Sequence, residues 1–244
     1  MLIVLIVHTE YFSSGRNYAL AFSTERRVND MKNQKNWYKF KTTIILTSFI
    51  TIIPMFIGIA LWGKLPDTIA THFGADNVAN GWSSKPFTVF GLPAILLLVQ
   101  WVCAFVILND PKKKNISDKI FGLILWIIPV ISLIVCVQIY AIALGYQVDI
   151  GLFTNLIIGI LFVAIGNYLP KCKQNYTVGI RLPWTLSSEE NWNRTHRFAS
   201  WIWIFGGVVF IFNAFLQLEW ILAIIIILVI LPTAYSFFLY RKGI

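Results

Sequence analysis

Six apolar segments, each about the length needed to cross a bilayer, dominate this chain, at about 42–62, 87–108, 120–144, 152–170, 198–218 and 220–240. Roughly 20 apolar residues span the hydrocarbon core as a helix. Lipid offers backbone amides and carbonyls no hydrogen-bond partner, so a crossing segment must satisfy those groups internally. Strand crossings would alternate with period two, and these segments do not. An all-α membrane protein with six transmembrane helices is expected. Composition excludes the soluble alternative. Charged residues make up 13% of the chain and mean hydropathy is +0.71, whereas a soluble domain carries roughly 25% charge.

Pro54, Pro93, Pro129 and Pro232 fall inside spans and are expected to kink them. The loops alternate in charge. Eighteen of the 20 Lys and Arg residues fall on one side, and Lys64 and Lys85 alone on the other. By the positive-inside rule both termini and the loop around Arg181 are cytoplasmic. This bias accounts for the net charge of +9, so no direct nucleic-acid contact need be invoked.

No Asp, Glu, Lys or Arg lies mid-span, which weakens an ion-coupled transporter. Gln100, Gln138, Asn155, Asn167 and Asn213 read as hydrogen-bond glue between helices, and Gly159, Gly166, Gly206 and Gly207 as points of close helix contact. Cys103 and Cys136 lie in apolar runs and Cys172 in a loop, without the spacing of a disulfide framework or a zinc site.

Three regions follow. Residues 1–36 form an N-terminal tail. Its apolar start, Met1–Val7, is too short to span and lacks the flanks of a signal peptide. Met31 opens MKNQKNWYKFK, an ordinary basic lead-in to a first span, so translation is expected to begin there; residues 1–30 are otherwise a loosely ordered tail. Residues 37–115 hold the first helix pair and an extracellular loop, 63–86. Residues 116–244 hold four further helices and a cytoplasmic loop, 171–197.

In the outer loop, Pro66-Asp67, Gly74, Asn80-Gly81 and Lys85-Pro86 are turn signals. Asp67, His72 and Asp76 match no defined metal-ligand spacing, so no metal is expected. Asp67 and Thr68 are expected to cap a short turn, with His72 and Trp82 packed at the interface, in a folded cap open to an extracellular molecule.

The inner loop is denser. Asn175–Thr185 is a turn region punctuated by Gly179 and Pro183. Ser187 and Glu190 have capping-box spacing, and a helix starting there would run directly into the fifth span. On it Trp192, Thr195, His196 and Ala199 share one face. Trp184 and Trp192 suit the membrane interface. Arg181 is either a topology anchor at lipid phosphate or a fixed fork pinning the loop through carbonyls or a carboxylate. His196 reads as a packing residue. GxSxG, HExxH, paired carboxylates and a phosphate loop are all missing, so neither an enzyme nor a cofactor is expected.

Two segments together resemble a bacterial family. GNYLP (Gly166–Pro170), NYTVGIRLPWTL (Asn175–Leu186) and NWNRTH (Asn191–His196) look like the signature of the SdpI immunity family. LPDTIATHFGADNVANGWSSK (Leu65–Lys85) looks like the small domain of unknown function found with it. The signature positions are Asn175, Gly179, Arg181, Pro183, Trp184, Thr185, Trp192, Thr195 and His196 inside, and Pro66, His72, Phe73, Gly74, Gly81, Trp82 and Lys85 outside. The resemblance implies a multi-pass membrane protein of a Gram-positive bacterium, protecting the producing cell from a secreted peptide toxin that collapses the membrane. It also implies signalling, in which a cytoplasmic helix-turn-helix repressor is held at the membrane. Inner residues would then face the repressor and outer residues the toxin. The family often has glycine near Asn77-Val78; Asn77 still tolerates a left-handed backbone, but Val78 does not. The alternative reading is a small multi-pass permease or exporter.

Overall fold

A computed structural model describes residues 38–74, 77–218 and 220–244. The tail 1–36, the expected start at Met31 and Asp76 lie outside the described residues. The chain divides into two units after Thr42: the described part of the first, 38–42, is helical, and the second runs from Thr43 to Ile244.

The helices are α1 (Tyr38–Ala60), α2 (Phe87–Leu108), α3 (Asp118–Ala143), α4 (Ile150–Lys171), the short α5 (Pro183–Ser187), α6 (Glu189–Leu216) and α7 (Ile221–Arg241). All but α5 are long and apolar enough to cross a membrane. The protein is a multi-pass membrane protein. Large apolar side chains point outward, as where Trp201, Phe205, Phe212 and Phe215 on α6 are each at least 65% exposed. In water such a stripe would be an aggregation surface; in a bilayer it meets lipid.

Local chemistry sets the helix starts. Ser117 caps α3 by accepting from Ile120 N, Asp149 caps α4 by accepting from Leu152 N, and Ser188 caps α6 by accepting from Asn191 N. α2 opens with a π-helical turn, Phe87–Gly91, which Leu92 separates from Pro93. Pro54, Pro129 and Pro232 stand inside α1, α3 and α7, each removing one backbone donor from the ladder.

Backbone approach and buried amides join the helices. A Cβ on Gly159 would sit 2.7 Å from Gly207 O, and one on Gly207 2.6 Å from Gly159 O. α4 and α6 therefore pack backbone to backbone, the contact small residues permit between membrane helices. Asn213 Nδ2 donates to Asn155 Oδ1 at 3.0 Å across the same pair. Gln100 Nε2 donates to Thr47 Oγ1 at 2.8 Å, tying α2 to α1, and Ser132 Oγ donates to Thr51 O at 2.8 Å, tying α3 to α1. Two expected members of this glue differ: Asn167 is exposed, and the Gln138 Nε2 is buried without a partner.

The loop between α1 and α2 is an antiparallel hairpin of β1 (Thr68–Phe73) and β2 (Ala79–Ser84), with Ala70 opposite Trp82 and His72 opposite Gly81. Leu65 and Ile69 anchor it in a core with Val89, Cys136, Ile139 and Tyr140. The turn signal at Asn80-Gly81 misleads, because both residues lie inside β2. Gly81 is there because a Cβ would stand 2.9 Å from His72 Cβ. The hairpin is closed instead by Gly74 N donating to Val78 O at 2.8 Å, and Asn77 takes φ 61°. Nor do Asp67 and Thr68 cap a turn: Asp67 pairs with Lys85 Nζ at 3.1 Å, and Thr68 opens β1.

Side-chain bonds sort the loops into two ends. At one, Asp149 in the α3–α4 connection accepts from Asn77 Nδ2 at the hairpin tip and from Gln217 Nε2 at the end of α6. At the other, the α2–α3 loop, the 172–188 segment and the C-terminus meet.

Candidate functional site

The second end carries the inner signature. Asn175, fully buried, folds the chain back on itself. Its Oδ1 accepts from Thr177 N at 2.9 Å and Val178 N at 2.6 Å, while Nδ2 donates to Lys173 O at 2.9 Å. Such side-chain-to-backbone bonding is what asparagine offers a turn. Gly179 follows at φ 115°, a conformation L residues avoid. A Cβ there would lie 2.4 Å from His196 Nε2 and 3.0 Å from Trp192 Cζ2.

That contact is the centre of the site. His196 is 1% exposed and stacks on Trp192, ring centroids 4.1 Å apart. Its Nδ1 faces Trp192 O at 2.8 Å, and its Nε2 accepts from Ile180 N at 3.0 Å. A carbonyl needs a donor and an amide N–H needs an acceptor, so the ring is neutral with its proton on Nδ1. Trp192, fully buried, donates Nε1 to Cys172 O at 2.7 Å. The start of α6 thus holds the loop at both edges. Burial also pushes the Cys172 thiol up from its ordinary value, so that it resists forming a reactive thiolate.

Thr185, also fully buried, closes the next turn. Its Oγ1 accepts from Leu182 N at 2.8 Å and donates to Ile180 O at 2.9 Å. Pro183 supplies the first residue of α5, where a missing N–H costs nothing. Trp184 turns toward α7, donating Nε1 to Ser236 Oγ at 2.8 Å and stacking on Tyr240. Thr195 donates to Asn191 Oδ1 at 3.0 Å, and Asn191 Nδ2 donates to Ser236 O and Ile244 O, both at 3.0 Å. Arg181 is exposed and donates one arm to Tyr176 O at 2.7 Å.

The four residues expected to share a face, Trp192, Thr195, His196 and Ala199, are all buried. Two expectations shift. The cap of α6 is Ser188 rather than Ser187, because Ser187 ends α5 and donates its hydroxyl to Trp184 O. Trp192 is not at the membrane interface; it fills the protein interior beside Ile120 and Cys172.

Asp110 and Gln174 were missed. Asp110 is 4% exposed in an otherwise basic loop. Its carboxylate accepts from Lys112 N at 2.6 Å, Tyr176 N at 3.0 Å and the Thr177 hydroxyl. Gln174 Nε2 donates to Thr185 O at 2.9 Å while its Oε1 accepts from Lys112 Nζ at 2.6 Å. The only sequence signal was one acid beside Pro111 in the run NDPKKK.

The outer signature is more open. His72 is exposed with its Nδ1 beside Asn80 Oδ1, and Trp82 is 59% exposed, so neither is packed away. Lys85 lies 5.3 Å from the Trp62 ring and donates to Trp62 O. Phe73 and Gly74 lead into the reversal, and Pro66 precedes β1. Among the described residues no group of three His, Cys, Asp or Glu side chains could hold a metal ion.

Comparison with known proteins bears out the resemblance read from the motifs. Residues 171–239 match the SdpI/YfhL protein family, and residues 49–97 match a domain of unknown function (DUF1648). "Immunity protein SdpI" of Bacillus subtilis (strain 168) is 28% identical over 206 residues, covering 81% of this chain and 96% of the relative. No solved structure matches the chain. The stretch that matches the SdpI/YfhL family begins at the end where Asn175, Trp192 and His196 build the pinned loop.

Proposed function

We propose, from this SdpI/YfhL likeness and the geometry of the loop, that the protein is a membrane immunity protein protecting its cell from a secreted peptide toxin. One observation carries the reading into the structure: the buried polar side chains of the signature loop are spent on holding its shape. Asn175, Thr185 and His196 each bond to loop backbone. A catalytic group needs an open approach and a free lone pair or proton. These groups have neither, and what they make is a rigid surface. Its exposed parts, Lys173, Tyr176, Arg181 and Pro183, suit recognition of another protein.

The alternating lysine and arginine bias supports a cytoplasmic position for this surface and an outer one for the hairpin. The outer end then meets toxin. The inner surface holds a helix-turn-helix repressor at the membrane when toxin is present, which releases the genes the repressor silences. A toxin challenge tests the reading. A Gram-positive strain lacking its own immunity protein is given this protein or empty vector and exposed to the family's peptide toxin. Survival of only the first supports it. Equal killing, with the protein confirmed in the membrane, refutes it and favours a permease.

A further inference from the structure

At the hairpin end a cavity of about 380 Å³ opens between the hairpin tip, the first turn of α4 and the α6–α7 connection. Phe73, Leu218 and Ile221 give it an apolar wall, and Asn77, Thr154 and Gln217 place polar groups around it. Among the described residues no charged side chain lines it. Ligand pockets run from roughly 300 to 1,000 Å³ and combine an apolar wall with a few convergent hydrogen-bonding groups.

The polar groups are not equally committed. Asn77 Oδ1 accepts from Gly151 N at 2.7 Å, and its Nδ2 donates to Asp149. Gln217 spends one N–H on Asp149, leaving its carbonyl and second N–H. Together these are the donor and acceptor that complement a peptide group. Thr154, which lines the same cavity, is an exposed residue.

We propose that this cavity receives an uncharged, apolar stretch of the secreted peptide, with Gln217 and Thr154 bonding to its backbone and its side chains against Phe73, Leu218 and Ile221. The proposal rests on the immunity reading and on the hairpin end facing outward. It also gives the site a way to report. Asp149 joins the hairpin tip, the start of α4 and the end of α6. An occupant that draws Gln217 away from Asp149 loosens the outer end of α6, whose other end carries Trp192 and His196.

Thr154→Phe fills the cavity from an exposed position without removing any Asp149 bond; Ile221→Trp fills it from the opposite wall; Val229→Phe, on the exposed face of α7 away from the cavity, leaves it open. The full-length protein and each variant, in lipid nanodiscs, are titrated with fluorescently labelled family toxin at low and high salt. Survival of cells carrying the same variants is scored in parallel. Wild type and Val229→Phe bind alike, both filled variants bind at least tenfold more weakly, salt changes little, and survival falls in step. Undiminished binding by both filled variants, or binding abolished by salt, overturns the cavity while leaving immunity standing. Protection without binding to the purified protein also overturns the cavity alone. A wild type that neither binds nor protects removes the immunity reading and the cavity with it.

Discussion

Gly179→Ala is the sharpest perturbation of the pinned loop. The backbone there stands at φ 115°, where an L residue pays about 1–3 kcal/mol in strain. The added methyl carbon would lie 2.4 Å from His196 Nε2 and 3.0 Å from Trp192 Cζ2. Trp192 and His196 are stacked and each is at most 1% exposed, so neither ring has space to retreat. Overpacking of this kind costs a further 1–3 kcal/mol, roughly. The total, roughly 2–6 kcal/mol, falls on a segment whose release need not unfold the helices, so the loop detaches locally. Cys172 reports it. The thiol is buried, with its pKa raised by burial, and the carbonyl of the same residue is held by Trp192. Each 1.4 kcal/mol is a factor of ten in an equilibrium. A release of only about 3 kcal/mol would therefore raise the fraction of open loop, and Cys172 alkylation, by roughly a hundredfold. The assay is alkylation of membranes at fixed pH, read at the Cys172 peptide by mass spectrometry, with Cys136 as internal control. A Cys172 rate within threefold of wild type would refute the reasoning.

Three further substitutions probe other joints. Asn191→Ala strips the donor shared by Ser236 O and Ile244 O; about 2–3 kcal/mol is lost, and hydrogen exchange should rise at the end of α7 before the middle of α3. Gly159→Ala forces a methyl to 2.7 Å from Gly207 O, so α4 and α6 separate and the detergent-solubilised protein should melt several degrees lower; an unchanged Tm counts against backbone contact. Arg181→Lys removes one exposed bond to Tyr176 O and should leave Cys172 alkylation unchanged, so any loss of immunity in that variant would assign Arg181 to partner recognition.

Much of this was legible because it is local or periodic. Apolar runs gave the six helices, since lipid admits few alternatives. The shared face of Trp192, Thr195 and His196 follows from helical spacing, and the part of Asn155 and Asn213 as glue between helices from the cost of a lone amide in hydrocarbon; that they pair with each other came from the fold. The shift of the α6 cap from Ser187 to Ser188 turns on which serine has an extended backbone, a choice made by α5. The hairpin was hidden by Asn80-Gly81, whose glycine serves a cross-strand contact rather than a turn. The bonds of Asp110 to Thr177 and of Asp149 to Asn77 and Gln217 join residues 67, 72 and 68 positions apart. No period connects such pairs, so only the fold could bring them together.

The measurement that bears most directly on the account is membrane potential under toxin. A sensitive Gram-positive strain carries wild type, Gly179→Ala or empty vector, with equal amounts of the two proteins in the membrane, and a potential-sensitive dye is followed as the peptide is added. The account predicts a potential held by wild type, lost with empty vector, and largely lost with Gly179→Ala. Collapse in the wild-type cells would contradict immunity, and a potential held equally well by Gly179→Ala would contradict the part given to the pinned loop.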